Sequence, residues 1–435
     1  NGEENSIKAV QLPPSWAFHL WQDPVQIRQL AADAERVPCQ ASALQSRNGR
    51  VNRILLSTPS NDAIVIASRE PQDLFEANAN RVLIVHQRAE IENSVLILPR
   101  QHSWHRHPRL VSGKLAGAAA RARDSWGNAL SFVAEDAATK RPGLRPPQVG
   151  ALHAIAAHWS VSQAPALVVM PTGTGKTEVM LATLVMRRPQ RLLVVIPSDL
   201  LREQTFEKFT KLGVLRAAGV LPNEIVLPVV GAVHGILDAA AIKRLEDCNV
   251  VVATMAAVTG MGIMQLRKFT ALFDLVFFDE AHHLPAASWE RLNELLTQHC
   301  VLQFTATPFR LDGRRIPGRI IYNFPLRLAQ EQKYFQEIDF VEVIEVDEFS
   351  ADQKIAEAAV ARLRADRAAG LDHLLLARAD TKARAEALFA KIYSAQYADL
   401  NPVLIHSETL QRREALDAIR ARKHFIVVCV DMFGE

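Results

Sequence analysis

The sequence predicts an α/β protein whose parallel sheets are covered by helices on both faces. Between about residues 144 and 325, short apolar runs alternate with helical patterns, which is the arrangement that forms a parallel sheet. Residues capable of chemistry follow most of these runs at their carboxyl ends, where a doubly wound sheet binds its ligands. The alternation returns after about residue 373 and predicts a second α/β unit.

The composition is that of a soluble globular chain with two or three domains. The 435 residues are 49% hydrophobic and 22% charged, and a formal net charge of +3 neither requires nor excludes a nucleic-acid partner. Four widely spaced cysteines without a C-x-x-C pair argue against a zinc site and a disulfide framework. Because no apolar run reaches the roughly 20 residues that cross a bilayer, we expect a cytoplasmic protein.

Residues 1–140 predict an N-terminal accessory domain that is either α/β or rich in strands. Apolar runs at 53–57, 63–67 and 81–86 predict strands, and the Ala- and Arg-rich segment 115–138 predicts a helix before a linker at 139–143. Three histidines near Trp104, in segment 101–108, are compatible with a metal site or a base-stacking platform. A polar surface loop explains them better than a metal site, because no cysteine or carboxylate with ligand spacing accompanies them.

Residues 141–325 predict the first parallel-sheet domain, with six candidate strands. These are 167–170, 191–196, 224–230, 250–254, 275–278 and 301–305. The first of them leads into a glycine-rich turn and then into a helical pattern that begins at Glu178.

This turn has the pattern of a phosphate-binding loop. Two glycines let successive backbone amides converge on phosphate oxygens, and the following helix directs its positive end at the same anion. The predicted nucleotide-binding residues are Thr172, Gly173, Thr174, Gly175, Lys176 and Thr177. Lys176 would reach the β- and γ-phosphates and Thr177 would bind Mg²⁺. The first glycine of the strict pattern is replaced by Met170, so the loop alone is an incomplete match.

Two adjacent carboxylates, Asp279 and Glu280, end the buried strand predicted at 275–278. A buried strand seldom ends in two acidic residues without a functional reason. Asp279 can hold Mg²⁺ and Glu280 can deprotonate the water that attacks the γ-phosphate. Together with the loop, the pair predicts a site for ATP and Mg²⁺ with Lys176, Asp279 and Glu280 as its catalytic residues.

The order of these motifs resembles superfamily 2 helicases and translocases, in particular the DEAH-type group that includes type III restriction-like motor subunits. The matching segments are Gln148 after Pro147, the loop 170–177, segments 195–204 and 252–254, the Asp-Glu-Ala-His box 279–282 and segment 304–313. The resemblance covers roughly residues 144–435, and it implies tandem RecA-like P-loop domains. In this superfamily the first loop position is variable, which accounts for Met170.

The resemblance also implies roles for further residues. Gln148, with Arg145 nearby, would read the adenine base. His282, Thr305 and Thr307 would couple hydrolysis to movement. The nucleic-acid track would include Pro197, Ser198, Thr254, Arg378 and Ser407. The basic residues Arg202, Lys208, Arg310 and Arg378 fit either contacts to a strand or solvated surface charges.

Residues 326–435 predict a partial second RecA-like domain. Its candidate elements are a strand at 340–346, a helix capped by Ser350, a strand at 373–378, a helix at 381–395, a strand at 402–406, a helix at 409–422 and a strand at 424–430. The chain begins with Asn1 and stops at Glu435, so both ends look cut. The family's motif VI, which carries an arginine finger, would lie beyond the end, and we therefore expect this chain to bind ATP better than it hydrolyses it.

The sequence thus predicts an ATP-dependent helicase or translocase that acts on single-stranded or duplex DNA. The residues of segments 280–283 and 305–310 resemble those of restriction-type motors, which favours DNA over RNA. A role in bacterial defence or restriction is compatible with the resemblance. An RNA helicase is one alternative. Another is a nucleotide-dependent switch or scaffold that binds ATP without motor activity, with a protein partner at the N-terminal domain.

Overall fold

The computed structural model divides the chain into two compact units, Asn1–Phe335 and Gln336–Glu435. The residues it describes are 7–47, 50–60, 62–68, 79–85, 90–98, 102–108, 115, 117–136, 138–283, 291–292, 294–309, 313–335, 339–406, 408–409 and 412–430. None of the helices in these ranges is both long and apolar enough to span a membrane.

Strands and helices of the first unit alternate from residue 146 onward. Its strands are β1 (Ala9–Leu12), β2 (Ser15–Gln22), β3 (Val25–Ala32), β4 (Glu35–Pro38), β5 (Gln40–Arg47), β6 (Arg50–Ser57), β7 (Ala63–Ala67), β8 (Arg81–Val85), β9 (Glu90–Glu92), β10 (Val95–Ile97), β11 (His102–Arg106), β12 (Ala166–Val169), β13 (Leu192–Ile196), β14 (Val230–Val233), β15 (Val250–Thr254), β16 (Leu275–Phe278), β17 (Cys300–Thr305) and β18 (Arg319–Asn323). Its helices are α1 (Ala118–Ser125), α2 (Pro146–Val161), α3 (Lys176–Arg187), α4 (Asp199–Lys211), α5 (Ala239–Arg244), α6 (Met255–Thr259), α7 (Ile263–Thr270) and α8 (Leu326–Glu331).

The main sheet of the first unit has nine strands in the order β18, β12, β17, β16, β13, β15, β14, β3, β2. Its first seven strands pair in parallel, and the β2–β3 hairpin adds to the β14 edge in antiparallel fashion. Side chains of the central strands are buried on both faces. In β13, for example, Leu192, Val194 and Ile196 pack into one apolar layer and Leu193 and Val195 into the other. The predicted α/β fold with a parallel sheet buried on both faces is therefore confirmed.

Two of the six predicted strands, at 250–254 and 275–278, coincide with β15 and β16, and three others are within two residues of β12, β13 and β17. The strand predicted at 224–230 is wrong, because β14 begins only at Val230. Pro228 lies in that segment and has no amide hydrogen to donate to a sheet. The edge strand β18 was not predicted, and its side chains are only partly buried.

The predicted N-terminal strands lie in β6, β7 and β8, within a five-stranded sheet ordered β11, β8, β7, β6, β5. A second, four-stranded sheet is ordered β4, β1, β10, β9. The boundary of an accessory domain at residue 140 stays a prediction. The hairpin β2–β3 belongs to the main sheet, so part of this segment extends the parallel-sheet domain.

The helix predicted at 115–138 is wrong in extent, because α1 covers only eight residues. Asn128, with φ of 57°, lies in the left-handed region that ends helices. The buried Trp126 is also fixed by tertiary structure, since its indole nitrogen donates to the Val226 carbonyl at 3.0 Å.

The histidine-rich segment contains β11, which pairs with β8. Its Trp104 donates to the Pro13 carbonyl at 3.4 Å and contacts the ring of the buried His107. Within the described ranges, no three His, Cys, Asp or Glu side chains form a group that could hold a metal ion.

The second unit contains a three-stranded parallel sheet in the order β19, β21, β20. Its elements are β19 (Leu375–Ala379), β20 (Val403–Ile405), β21 (Ile426–Val430), α9 (Glu348–Ala368), α10 (Lys382–Leu388), α11 (Ser394–Gln396) and α12 (Arg412–Arg420). A π-helical turn, Phe389–Tyr393, joins α10 to α11. The strands and helices predicted from residue 373 onward therefore correspond to elements of this unit.

Two predictions near the start of this unit are wrong. Residues 340–346 form no strand, and Phe340 and Val346 are 85% and 97% exposed, because this alternating apolar pattern pairs with no strand among the described residues. The predicted cap Ser350 lies inside α9. The Asp347 carboxylate accepts the Ser350 amide at 3.1 Å and caps the helix instead.

Candidate nucleotide-binding site

The carboxyl ends of five neighbouring strands bring the predicted motifs of the first unit to one edge of the sheet. Val169 at the end of β12 is in register with Thr305 at the end of β17, and Ile196 of β13 is in register with Thr254 of β15. Backbone hydrogen bonds continue past the strands: Met170 donates to the Thr305 carbonyl at 2.9 Å. Asp279 follows β16, which lies between β17 and β13 in the sheet. The acidic pair therefore lies between the ends of β12 and β17 on one side and the ends of β13 and β15 on the other.

The phosphate loop has the backbone conformation that its glycines predict. Gly173 and Gly175 have φ of 83° and 94°, in the left-handed region, and α3 begins directly afterwards at Lys176. Thr174 is buried and its hydroxyl donates to the Pro171 carbonyl at 2.6 Å, which closes the turn. Thr172 is exposed at the tip of the loop.

Gly175 leaves room for a neighbouring side chain as well as for the turn. A β-carbon at this position would lie 1.9 Å from Nε2 of Gln148, the residue predicted to read the base. The Gln148 amide is otherwise anchored at the start of α2, where its Oε1 accepts the Arg145 backbone amide at 2.8 Å. Arg145 in turn donates from Nη1 to the Gly173 carbonyl at 3.0 Å. The predicted base-reading residues therefore contact the loop directly.

Substitution of Gly175 by alanine is expected to destabilise the fold and to weaken ATP binding. The left-handed backbone costs an alanine about 1–2 kcal/mol, and the new methyl group must displace the Gln148 amide. Gly219→Ala is a matched control, because Gly219 has φ of 68° but open space around its β-carbon position. Thermal unfolding should show a loss of stability in both variants that is larger in Gly175→Ala, and ATP titration should show weaker binding only in Gly175→Ala. Equal ATP affinities in the two variants would contradict this prediction.

Lys176 and Glu280 form a buried ion pair at the centre of the site. Lys176 Nζ lies 2.6 Å from Glu280 Oε1, and the two side chains are 7% and 8% exposed. The contact is at ion-pair distance without hydrogen-bond alignment, and neither Lys176 Nζ nor Glu280 Oε2 has a hydrogen-bond partner among the described residues. Buried charged atoms with unused hydrogen-bonding capacity are suited to a charged, hydrogen-bonding ligand.

Glu280 also has a strained backbone, a feature that the sequence did not predict. Its φ of 47° is left-handed, which is uncommon for a residue other than glycine and costs about 1–3 kcal/mol. Its amide donates to Asp279 Oδ1 at 3.0 Å, and the Asp279 amide donates to the Val195 carbonyl at 2.9 Å. These bonds hold the strained residue in place and fix the direction of its side chain.

The three predicted coupling residues form a connected chain of contacts that begins at Glu280. His282 Nδ1 lies 3.4 Å from Glu280 Oε2 and 3.0 Å from the Thr305 hydroxyl. That hydroxyl donates to the Thr307 carbonyl at 2.7 Å, so it accepts from the histidine, which places a hydrogen on Nδ1. A change at Glu280 can therefore reach Thr307 through one imidazole and one hydroxyl.

The site residues fit ATP and Mg²⁺. The two left-handed glycines, the free hydrogen-bonding capacity of Lys176 and the helix beginning at that residue suit phosphate oxygens. Thr177 and Asp279 supply the hard oxygen ligands that Mg²⁺ prefers. The Thr177 hydroxyl accepts from Lys208 Nζ at 3.3 Å, and Lys208 is exposed, so both interpretations of this lysine stay predictions.

Three of the five predicted track residues lie on the first unit, close to the same edge. Ser198 is exposed, and its hydroxyl accepts the Leu201 amide and so caps α4. Thr254 is buried and caps α6 by accepting the Ala257 amide at 3.2 Å. Pro197 precedes Ser198 and is partly buried. Both hydroxyls therefore have a structural role at a helix N-terminus, where backbone amides suit phosphates.

The remaining track and basic residues have different settings. Arg378 is exposed on β19 in the second unit, and Ser407 and Arg310 lie outside the described residues. Arg202 is buried and pairs with Asp199, so its interpretation as a solvated charge is wrong. Its guanidinium also donates to the Val233 carbonyl at 3.3 Å, which fixes it inside the domain.

Comparison with known proteins identifies the segment that holds this site. Residues 141–310 match the family model described as type III restriction enzyme, res subunit. No curated protein matches the chain at a significant level.

Solved structures with some similarity are helicases or related proteins at low identity. T4 UvsW is 14% identical with a TM-score of 0.33, and the match covers 71% of this chain and 61% of that one. Mycobacterium smegmatis helicase Lhr, bound to ssDNA and AMP-PNP, is 17% identical with a TM-score of 0.43, covering 66% of this chain and 39% of that one. S. cerevisiae Dbp5, bound to RNA and ADP BeF3, is 14% identical with a TM-score of 0.37, covering 67% of this chain and 75% of that one.

The chain therefore spans less than two thirds of the length of UvsW and Lhr. The family match includes the phosphate loop, the acidic pair and the coupling residues, which are the residues assembled at the sheet edge. It confirms, over residues 141–310, the resemblance to the restriction-type group of superfamily 2 helicases and translocases.

Proposed function

We propose that this protein is an ATP-dependent nucleic-acid helicase or translocase. One observation carries the proposal: the loop lysine Lys176 lies 2.6 Å from the acidic residue Glu280, at the sheet edge where Ser198 and Thr254 also lie. A nucleotide site and a candidate phosphate-contacting surface therefore share one rigid sheet. Hydrolysis at one could change the other through His282 and Thr305.

The chemistry follows from the positions of the charged groups. Lys176 would hold the β- and γ-phosphates, and Glu280 would orient and deprotonate the attacking water. Mg²⁺, bound by Thr177 and Asp279, would neutralise the negative charge that builds on the phosphates. Because Glu280 contacts Lys176 directly, incoming phosphates would replace the carboxylate at the ammonium group and release it toward the water.

Glu280 would also transmit the state of the nucleotide. Its Oε2 is 3.4 Å from His282 Nδ1, and the histidine contacts Thr305, whose β17 backbone is bonded to the start of the phosphate loop. A shift of the Glu280 carboxylate would therefore change the contacts of Thr307 and of the phosphate loop. This gives the proposed motor a physical connection between hydrolysis and grip on a strand.

For the substrate we propose DNA, with contacts mainly to phosphates. Two observations support this proposal: the family match to a type III restriction enzyme subunit, and the amino-acid sequences of segments 280–283 and 305–310. A function in bacterial defence or restriction follows the same resemblance. Phosphate contacts would give little sequence preference and a strong dependence on salt.

ATP turnover is expected to rise severalfold when nucleic acid is added, and more with DNA than with RNA. The reason is that a strand bound beside Ser198 and Thr254 would favour the arrangement of the site residues in which ATP is hydrolysed. Steady-state phosphate release would be measured with no polymer, single-stranded DNA, duplex DNA and single-stranded RNA at fixed salt. An Asp279→Asn variant, expected to lose the metal ligand, gives the background rate.

The outcomes separate the possible functions. Stimulation mainly by RNA would replace DNA by RNA as the substrate. ATP binding without any stimulated turnover would contradict a motor and favour a nucleotide-dependent switch. Raising the salt concentration should reduce stimulation more steeply than it reduces ATP binding, because the polymer contacts release many counterions.

A further inference from the structure

Two aromatic residues, Tyr334 and Phe335, lie beside the phosphate loop at the end of the first unit. Strand β18 neighbours β12 in the sheet, so the segment after β18 emerges next to the loop that follows β12. Phe324 binds this segment to the sheet by donating its amide to the Val169 carbonyl at 2.9 Å. Helix α8 then leads back to Tyr334 and Phe335.

Both rings face residues of the predicted nucleotide site. The Arg145 guanidinium carbon lies 5.3 Å from the centroid of the Tyr334 ring, a cation–π distance. The Phe335 ring has carbons 3.5 Å from the position that a β-carbon on Gly173 would occupy. Arg145 itself donates to the Gly173 carbonyl, so the two aromatic residues, the arginine and the loop form one cluster.

The Tyr334 ring is held in place but not enclosed. Its amide donates to the Ala329 carbonyl at 2.9 Å, and its ring meets Phe324 edge-on at 6.3 Å between centroids. Burial raises the pKa of the Tyr334 phenol, so the ring is neutral at physiological pH. The side chain is only partly buried, which leaves ring surface available beside Arg145.

We propose that Tyr334 stacks against the base of the bound nucleoside triphosphate, together with Arg145, and that Phe335 covers the Gly173 side of the loop. The inference rests on the proposed ATP binding and adds to it a stacking residue outside the phosphate-loop motifs. A nucleobase offers a flat π surface to both the guanidinium and the phenol ring. Gln148, which contacts Gly175 in the same cluster, is positioned to meet the edge of the base.

Tyr334 and Phe335 lie at the end of the first unit, so stacking at Tyr334 would act on that end. Phe335 is the last residue of the first unit, and the chain then continues into the second unit. A base held by Tyr334 would therefore also restrain Phe335, its neighbour in the chain. The main competing explanation is that Tyr334 only packs against Arg145 and Phe324, with no contact to ligand.

The test compares Tyr334→Leu with Tyr334→Phe in the whole chain. Leucine keeps much of the apolar volume but removes the π surface, and phenylalanine keeps the ring. Affinities would be measured by calorimetry for MgATP and by competition for inorganic triphosphate, which has phosphates but no base. Phe340→Leu is the control, because Phe340 is an 85% exposed aromatic residue of the second unit.

Tyr334→Leu is expected to weaken ATP binding about tenfold, the size of effect that loss of one base–aromatic stack produces. Binding of inorganic triphosphate should not change, and Tyr334→Phe and Phe340→Leu should bind ATP like the wild type. Unchanged ATP affinity in Tyr334→Leu would overturn the inference and leave the proposed function intact. Equal weakening for ATP and triphosphate would also overturn it, since the ring would then act through the loop. A wild-type chain that binds no ATP would overturn the proposed function itself.

Discussion

Replacement of Lys176 by alanine is expected to abolish ATP binding. The lysine forms a buried ion pair with Glu280 at the loop, and its ammonium has hydrogen-bonding capacity that no described residue uses. Without it, the phosphates would lose the lysine contact and lie beside an unpaired Glu280 carboxylate. Calorimetric titration with MgATP would measure the loss. Lys211→Ala is the control, because Lys211 is a surface lysine of α4 paired with Glu207.

The same substitution is expected to lower stability, and a second substitution separates the two effects. Lys176→Ala leaves Glu280 buried at 8% exposure without its partner, which costs about 3–5 kcal/mol. The double variant Lys176→Ala with Glu280→Gln removes the unpaired charge as well. It should regain much of the melting temperature and still fail to bind ATP. Recovery of ATP binding in the double variant, or undiminished binding in Lys176→Ala, would contradict the assignment of the site.

Strands buried on both faces were the easiest elements to predict. The run Val250–Thr254 is apolar except for its final threonine, and all its side chains are buried. The bounds predicted from the sequence are therefore the bounds of β15. Segment 340–346 has similar apolar residues in alternation but pairs with no strand in the part of the chain that the structure describes, and Val346 is 97% exposed. The local sequence pattern indicates that a segment prefers an extended backbone, whereas its pairing with another strand depends on residues far away in the sequence.

Prediction of the site succeeded where the chemistry is contained in a short motif. Lys176 and Glu280, predicted from separate motifs, lie 2.6 Å apart in the structure because β12 and β16 are both neighbours of β17. Tyr334 and the left-handed backbone of Glu280 were missed. The tyrosine reaches the loop through the position of β18 in the sheet, and a glutamate, unlike a glycine or an asparagine, gives no sequence signal for a left-handed φ.

Glu280→Gln is expected to reduce ATP turnover by about 10² to 10⁴, the usual contribution of a positioned general base. Glutamine has the same shape but cannot accept the proton of the attacking water. ATP binding should be retained or become tighter, because Lys176 would no longer be neutralised by a carboxylate 2.6 Å away. Single-turnover phosphate release and ATP titration would measure the two quantities separately.

The stability of Glu280→Gln provides an independent measure of the same contact. The substitution leaves Lys176 buried without a counter-charge, so the variant should melt below the wild type in the absence of nucleotide. Phosphates would restore the missing negative charge, and saturating MgATP should therefore raise the melting temperature more in the variant than in the wild type. Glu178→Gln removes an equal charge from the first turn of α3 and should change neither turnover nor this difference by a comparable amount. Loss of ATP binding in Glu280→Gln, or turnover close to that of the wild type, would show that Glu280 holds the loop rather than the attacking water.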